Sequence, residues 1–260
     1  MLRNNRLILF NLLFPVLLFN CAHRLPLNNS RQLIVVTTPH WEASHGTLYR
    51  FERDKSDGVW RPVAGSIPVI LGRNGMGWGR GLHSSGWRSS PQKREGDGRS
   101  PAGVFGLGEA FGFPSPDTLT GLKIPYRPVN EYLECIDDVN SRYYAELIER
   151  NAVNGVDWQS SEVIIESPRA YYLGIVVEYN TNRTVKGQGS CIFLHCWTAP
   201  EDSTAGCTTF DRPEMEKVVR WLDATANPVI VQLPLPVYRR LMNRWQLPDF
   251  ASLSLVTGDR

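Results

Sequence analysis

The run Ser203-Thr204-Ala205-Gly206-Cys207 sets a cysteine behind a turn of small residues, a short stretch after a histidine. That histidine ends the apolar segment Cys191-Ile192-Phe193-Leu194-His195. A thiol attacks carbonyl carbon as its thiolate, and an imidazole is the side chain suited to take its proton near neutral pH. Gly206 lets the backbone come close to a substrate. The successive N–H groups of Ala205, Gly206 and Cys207 can hold an oxyanion. A short hydroxyl, Ser203 or Thr204, can brace the turn through its own backbone. If His195 and Cys207 meet, the chemistry is acyl transfer.

The order of the pair narrows the class. Papain-like proteases place the cysteine well before the histidine, and chymotrypsin-like enzymes place the histidine far upstream of the nucleophile. Neither matches this close, histidine-first spacing. Two other readings compete with a nucleophile and its base. One is a zinc site drawn from Cys191, His195, Cys196 and Cys207. On a continuous strand Cys191 and His195 are roughly 13 Å apart and Cys196 points to the opposite face, which opposes a shared ion. The other is a core histidine beside a buried apolar thiol, since free cysteine is commonly buried. Pattern alone leaves that one open.

The elements that must position these residues read mostly as strands. Leu33 to Thr37, Gly46 to Arg53, Pro68 to Leu71, Tyr171 to Tyr179 and Val229 to Val231 are short apolar or alternating runs. Asp57-Gly58 is a hairpin-turn signal. The 18 prolines and 22 glycines are scattered between such runs, which favours strands and turns over long helices. One helix is legible over about 212–224: Asp211 suits the N-cap, Pro213 and Glu214 the first turn, and Met215, Val218, Val219 and Leu222 share a face. Residues 143–151 suggest a short helical turn, and residues 112–128, with four prolines, a loop. The glycines between 72 and 108 carry no phosphate-loop ending or dinucleotide fingerprint, so they read as turns and bulges joining strands. The tail from Pro234 is proline-broken and is expected to pack on the outside.

Net charge is +2 without a long basic run, so nucleic acid is not indicated as a partner. The N-terminus has Arg3 and Arg6 ahead of an apolar stretch from Leu7 to Phe19, too short for a comfortable membrane span. Residues 1–20 therefore read as a signal peptide and 21–31 as a tether, and export is expected. Leu18-Phe19-Asn20-Cys21 resembles a bacterial lipoprotein cleavage box, which would make Cys21 the lipidated residue and a periplasmic membrane anchor. Ordinary secretory cleavage near Ala22 is the alternative. Of the five cysteines, setting aside Cys21 and Cys207 leaves Cys135, Cys191 and Cys196, which cannot all pair within one chain. Cys191 and Cys196 are poor partners, because five strand steps separate their Cα atoms by roughly 16 Å.

From about Ile67 to Val231 the chain resembles the YkuD-type L,D-transpeptidase family, in its exported bacterial branch with a shortened motif. The resemblance rests on His195, on Thr204-Ala205-Gly206-Cys207, and on the block from Arg94 to Phe105 with Gly96-Asp97-Gly98-Arg99-Ser100-Pro101. Asp137-Asp138, Ser141 to Tyr144, and Gly189-Ser190 before Cys191 also carry it. It implies a mainly β, YkuD-like β-sandwich with a few short helices, the catalytic domain spanning 32–233. It implies a cell-wall enzyme without a cofactor or metal. Cys207 would attack the stem tetrapeptide of peptidoglycan, with His195 as general base and backbone N–H groups of Ala205 and Gly206 among the oxyanion donors. Terminal D-alanine would leave, and the acyl group would pass to an amine. Passage to water (an L,D-carboxypeptidase) and a wall-associated binding lipoprotein without activity are the alternatives. Tyr144, Asp138 and Arg99 would line the cleft. The chain departs from the family at Ala205, where a second histidine is frequent, and at Thr209, where Asn or Arg is common.

Overall fold

The computed structural model describes residues 26–84 and 89–249. In chain order the strands are β1 (Gln32–Thr38), β2 (His45–Glu52), β3 (Arg61–Pro62), β4 (Ile67–Ile70), β5 (Met76–Trp78), β6 (Ser100–Gly112) and β7 (Tyr126–Pro128). They continue as β8 (Leu133–Cys135), β9 (Leu147–Glu149), β10 (Glu162–Val163), β11 (Leu173–Val177), β12 (Phe193–Cys196), β13 (Thr208–Phe210) and β14 (Val229–Pro234). Two α-helices are described, α1 (Arg212–Trp221) and α2 (Leu235–Trp245). The protein is mainly β, as expected.

The main sheet runs β1-β14-β6-β11-β12-β13-β4-β2-β3, and β1 also pairs with β2. That extra pairing closes the sheet on itself into a barrel-like sandwich, which leaves few free strand edges. Every residue of β1 is buried, because its inner face meets the core and α2 packs beside it and β14. β2 was expected to alternate, yet Leu48, Tyr49, Arg50 and Phe51 are all buried in succession. The cause is α1. Its Glu214 reaches Arg50 at 3.8 Å and the Trp221 ring stacks 5.8 Å from the guanidinium, so a polar-side residue is covered too. Arg50 can be buried because Glu214 opposes its charge and its guanidinium lies over the Trp221 ring.

Helix α1 begins after Asp211, with Pro213 in its first turn, and buries Met215, Val218 and Val219. The tail after Pro234 is not broken by its prolines: it forms α2, which buries Val237, Tyr238, Leu241 and Trp245. Pro236 falls in the first turn, where no N–H is needed and φ is already helical. The stretch read as a tether is in part structural. Leu27 is fully buried, and the Arg53 guanidinium donates to the carbonyls of Leu27 and Ser30.

Three other local expectations change. Gly103 and Gly106 do not mark turns or bulges, whereas Gly108 falls where the β6–β11 register shifts, the bulge such a glycine suggests. All three lie inside β6, the longest described strand, where the His83 ring and the Glu178 side chain fill the space a Cβ would take at Gly103 and Gly106. Residues 112–128 hold a 3₁₀ turn and β7, paired in parallel with β6. The helical turn expected over 143–151 is confined to a 3₁₀ turn at Arg150–Ala152, and residues 147–149 form a strand, because Leu147, Ile148 and Glu149 pair with β8. With β10 they make a separate three-stranded sheet, β10-β8-β9.

Candidate active site

The turn before Cys207 is held by its own hydroxyl, as the small-residue pattern suggested. Thr204 Oγ1 donates to the Cys207 carbonyl at 2.7 Å and accepts from the Gly206 N–H at 3.2 Å. Ser100 Oγ donates to the same carbonyl, and Gly72 N–H donates to Ser100. The Arg73 N–H bonds the Thr204 carbonyl at 2.9 Å. The turn is therefore bolted to the end of β4 and the start of β6. Gly206 is required there. Its φ is +156°, and a Cβ would sit 2.8 Å from the Arg99 carbonyl oxygen.

His195 lies on β12 and Cys207 immediately precedes β13, and these two strands pair in parallel with His195 opposite Thr209. Extending that register puts Cys207 beside Phe193, and the Phe193 N–H donates to Cys207 Sγ at 3.3 Å. Residues two apart share a face and are separated by about 7 Å. His195 and Cys207 are thus neighbours on one face of adjacent strands. The thiol proton points to the Cys191 carbonyl at 3.5 Å.

The imidazole is fixed by a backbone carbonyl. His195 Nδ1 is 2.9 Å from the Cys196 oxygen, which can only accept, so Nδ1 carries the proton and Nε2 is the free base. Burial lowers the His195 pKa to about 4 against the opposing carbonyls of Cys196 and Ala170. Burial likewise pushes the Cys207 thiol up to about 12; the charge of Glu162 adds to this, and the Phe193 N–H and Lys93 oppose it. Both shifts favour a neutral thiol and a neutral imidazole in the resting pair.

A second apolar cluster surrounds the thiol: Phe111, Leu133, Cys135, Ile164, Tyr171, Phe193 and Cys207. The Tyr171 ring lies 5.0 Å from the His195 ring and 5.9 Å from that of Phe193. Its hydroxyl donates to Glu162 Oε1 at 2.6 Å. Burial raises the Tyr171 pKa well above its ordinary value, with the charges of Cys207 and Glu162 adding to it. Cys135 and Cys191 form a disulfide across 56 positions, leaving Cys196 as the free thiol that cysteine parity required. The bond is possible because the expected strand starts two residues late. Cys191 has φ +52°, so the chain bends there and turns its sulfur toward β8. Cys191 is thereby committed, and the zinc arrangement loses a ligand.

The three expected cleft residues have other described contacts. Tyr144 is buried; its hydroxyl donates to Glu95 and accepts from the Gly189 N–H, while Ser190 donates to the same Glu95 oxygen. That network braces the segment leading to Cys191. Asp138 accepts the backbone N–H groups of Asn140 and Gln159, which hold its carboxyl below the usual range. The Arg99 guanidinium donates to the Met76 carbonyl, and its own carbonyl lies under Gly206. Among the described contacts none of these side chains touches His195 or Cys207. Sequence reading missed Glu162 and Tyr171, which the fold brings to the pair; neither carries a local motif. Cys21 lies outside the described residues.

The fold is a mainly β closed sheet with a histidine on one strand and a turn-borne cysteine just ahead of its parallel neighbour. The chain belongs to the YkuD family of L,D-transpeptidase catalytic domains, whose model matches residues 33–231. Members of that family act on peptidoglycan peptides. Comparison with curated proteins and with solved structures gave no match.

Proposed function

We propose that this protein is a cell-wall L,D-transpeptidase working through a thioacyl enzyme on Cys207. The observation that carries the proposal is the register that sets His195 opposite Thr209, two positions from Cys207 and on the same face, with Nε2 of the imidazole left basic. Because the resting thiol is neutral, its proton moves to Nε2 as Sγ attacks the carbonyl of the donor tetrapeptide. The N–H groups of Ala205, Gly206 and Cys207 receive the developing oxyanion, that of Gly206 exchanging its bond to Thr204 for the substrate. His195 then gives the proton to the departing D-alanine, and an amine of a neighbouring stem takes the acyl group. The Cys135–Cys191 disulfide supports action outside the cytoplasm, where such bonds persist; we place the protein in the periplasm, anchored through Cys21.

The test is incubation of the full chain with a disaccharide tetrapeptide, followed by mass analysis of the muropeptides and of the intact protein. Release of D-alanine and an acyl adduct on Cys207 are expected, both abolished in Cys207→Ala and reduced at least ~100-fold in His195→Gln. Absence of both from the wild type would overturn the proposal.

A further inference from the structure

Glu162 is bonded into the surroundings of the nucleophile for no reason that the attack of Cys207 supplies. It pairs with Cys135 in the β10–β8 register. Cys135 is bonded to Cys191, whose carbonyl accepts the Cys207 thiol proton. From the other side Tyr171, packed on the His195 ring, donates to Glu162 Oε1. The carboxylate is half-buried, and among the described residues no lysine, arginine or histidine pairs with it. An uncompensated negative charge here works against the first step, because it disfavours the thiolate. The same charge is an asset in the second step if the incoming nucleophile is a cation.

We propose that Glu162, oriented by Tyr171, binds the ammonium group of the acceptor and so directs the thioacyl enzyme to an amine in preference to water. This inference rests on the proposed transpeptidase reaction. The acceptor reaches the site as an alkylammonium and gives one proton to the Glu162 carboxylate. The freed lone pair forms the new C–N bond as the C–S bond breaks. His195 carries the second amine proton to Sγ, and the Glu162 carboxylic acid returns its proton to water. The disulfide-tied β10-β8-β9 sheet is the element that presents this acceptor group to the scaffold that holds the donor.

The experiment uses the full chain, the tetrapeptide donor and a stem peptide bearing a free side-chain amine. It reads the ratio of cross-linked to hydrolysed product, which does not depend on how fast the thioacyl enzyme forms. Glu162→Gln is expected to lower the ratio about tenfold, and Glu162→Asp, which keeps the charge, to restore most of it. In the wild type alone the KM for the amine should rise with ionic strength, as for any charge-steered encounter. An unchanged ratio in Glu162→Gln, or a salt-independent amine KM, overturns the assignment of Glu162. A wild type that releases D-alanine only to water overturns it as well, while leaving the thioacyl chemistry intact. No D-alanine release at all would instead refute the transpeptidase reading itself.

Discussion

Breaking the Cys135–Cys191 bond is expected to cost this protein about 4 kcal/mol of stability. The bond closes a loop of sequence separation 56, and the chain entropy removed from the unfolded state by a loop of that size amounts to ~14 cal/mol/K, or ~4 kcal/mol at 25 °C. For a domain of this size that is a fall in Tm of roughly 8–16 °C. Two perturbations separate the contributions. Reduction leaves both sulfur atoms in the buried cluster with Phe111, Leu133 and Tyr171, so it reads the cross-link alone. The Cys135→Ala/Cys191→Ala double variant also empties sulfur volume from that cluster and should lose a further ~1–2 kcal/mol. Equilibrium urea unfolding of oxidised, reduced and double-variant protein measures all three. Oxidised and reduced proteins with coincident midpoints would refute the reasoning, because the loop constraint would then have no weight. The perturbation also reaches the candidate site: without the bond, β8, against which β10 and its Glu162 pair, loses its covalent tie to the segment at Cys191.

Acid should weaken the fold through its histidines. Burial holds His195 and His83 at about 4 when folded, against 6.5 unfolded. The unfolded chain therefore binds protons that the folded chain refuses, and stability is full above pH 6.5 and lost as the pH falls toward 4. The change is worth ~3 kcal/mol per imidazole, and unfolding at pH 5 should take up nearly two protons from these groups by calorimetry; uptake near zero would contradict it. Cys207, raised to about 12 in the resting site, should alkylate with iodoacetamide about tenfold faster per pH unit from 7 to 9; a plateau below pH 8 would reveal a preformed thiolate. Gly206→Ala should lose ~2 kcal/mol in urea unfolding, since its Cβ would meet the Arg99 carbonyl at 2.8 Å from a φ that glycine favours; an unchanged midpoint would show that the turn can shift.

What could be read from the chain before its structure depended on how local the physics is. The Thr204–Cys207 turn, β11 and α1 announce themselves within a few residues, through a hydroxyl bracing its own backbone, periodicity and a first-turn proline; Asp211 stands at the N-cap but makes no side-chain cap bond. Helix α2 is hidden because its prolines read as breakers, whereas a first-turn proline suits a helix. β6 was hidden by glycines that admit the side chains of Glu178 and His83. Burial of Arg50 depends on α1, far along the chain, and so could not be inferred from the alternation in β2. The gathering of Glu162 and Tyr171 at the thiol is set by the β10–β8 register and a disulfide, both long-range. Cysteine parity required a free thiol, but only the bend at Cys191 settles which pair forms.

The closure of the sheet carries a consequence for when the protein becomes reactive. β1, among the first strands made, needs β14, the last, as its parallel neighbour, and β14 in turn flanks β6. The ring that sets β12 beside β13 is therefore incomplete until the chain has been synthesised through Pro234. Long-range pairings of this kind form slowly. Cys207 and His195 are brought onto one face only as a product of finished folding, so a partial chain carries both residues without their arrangement.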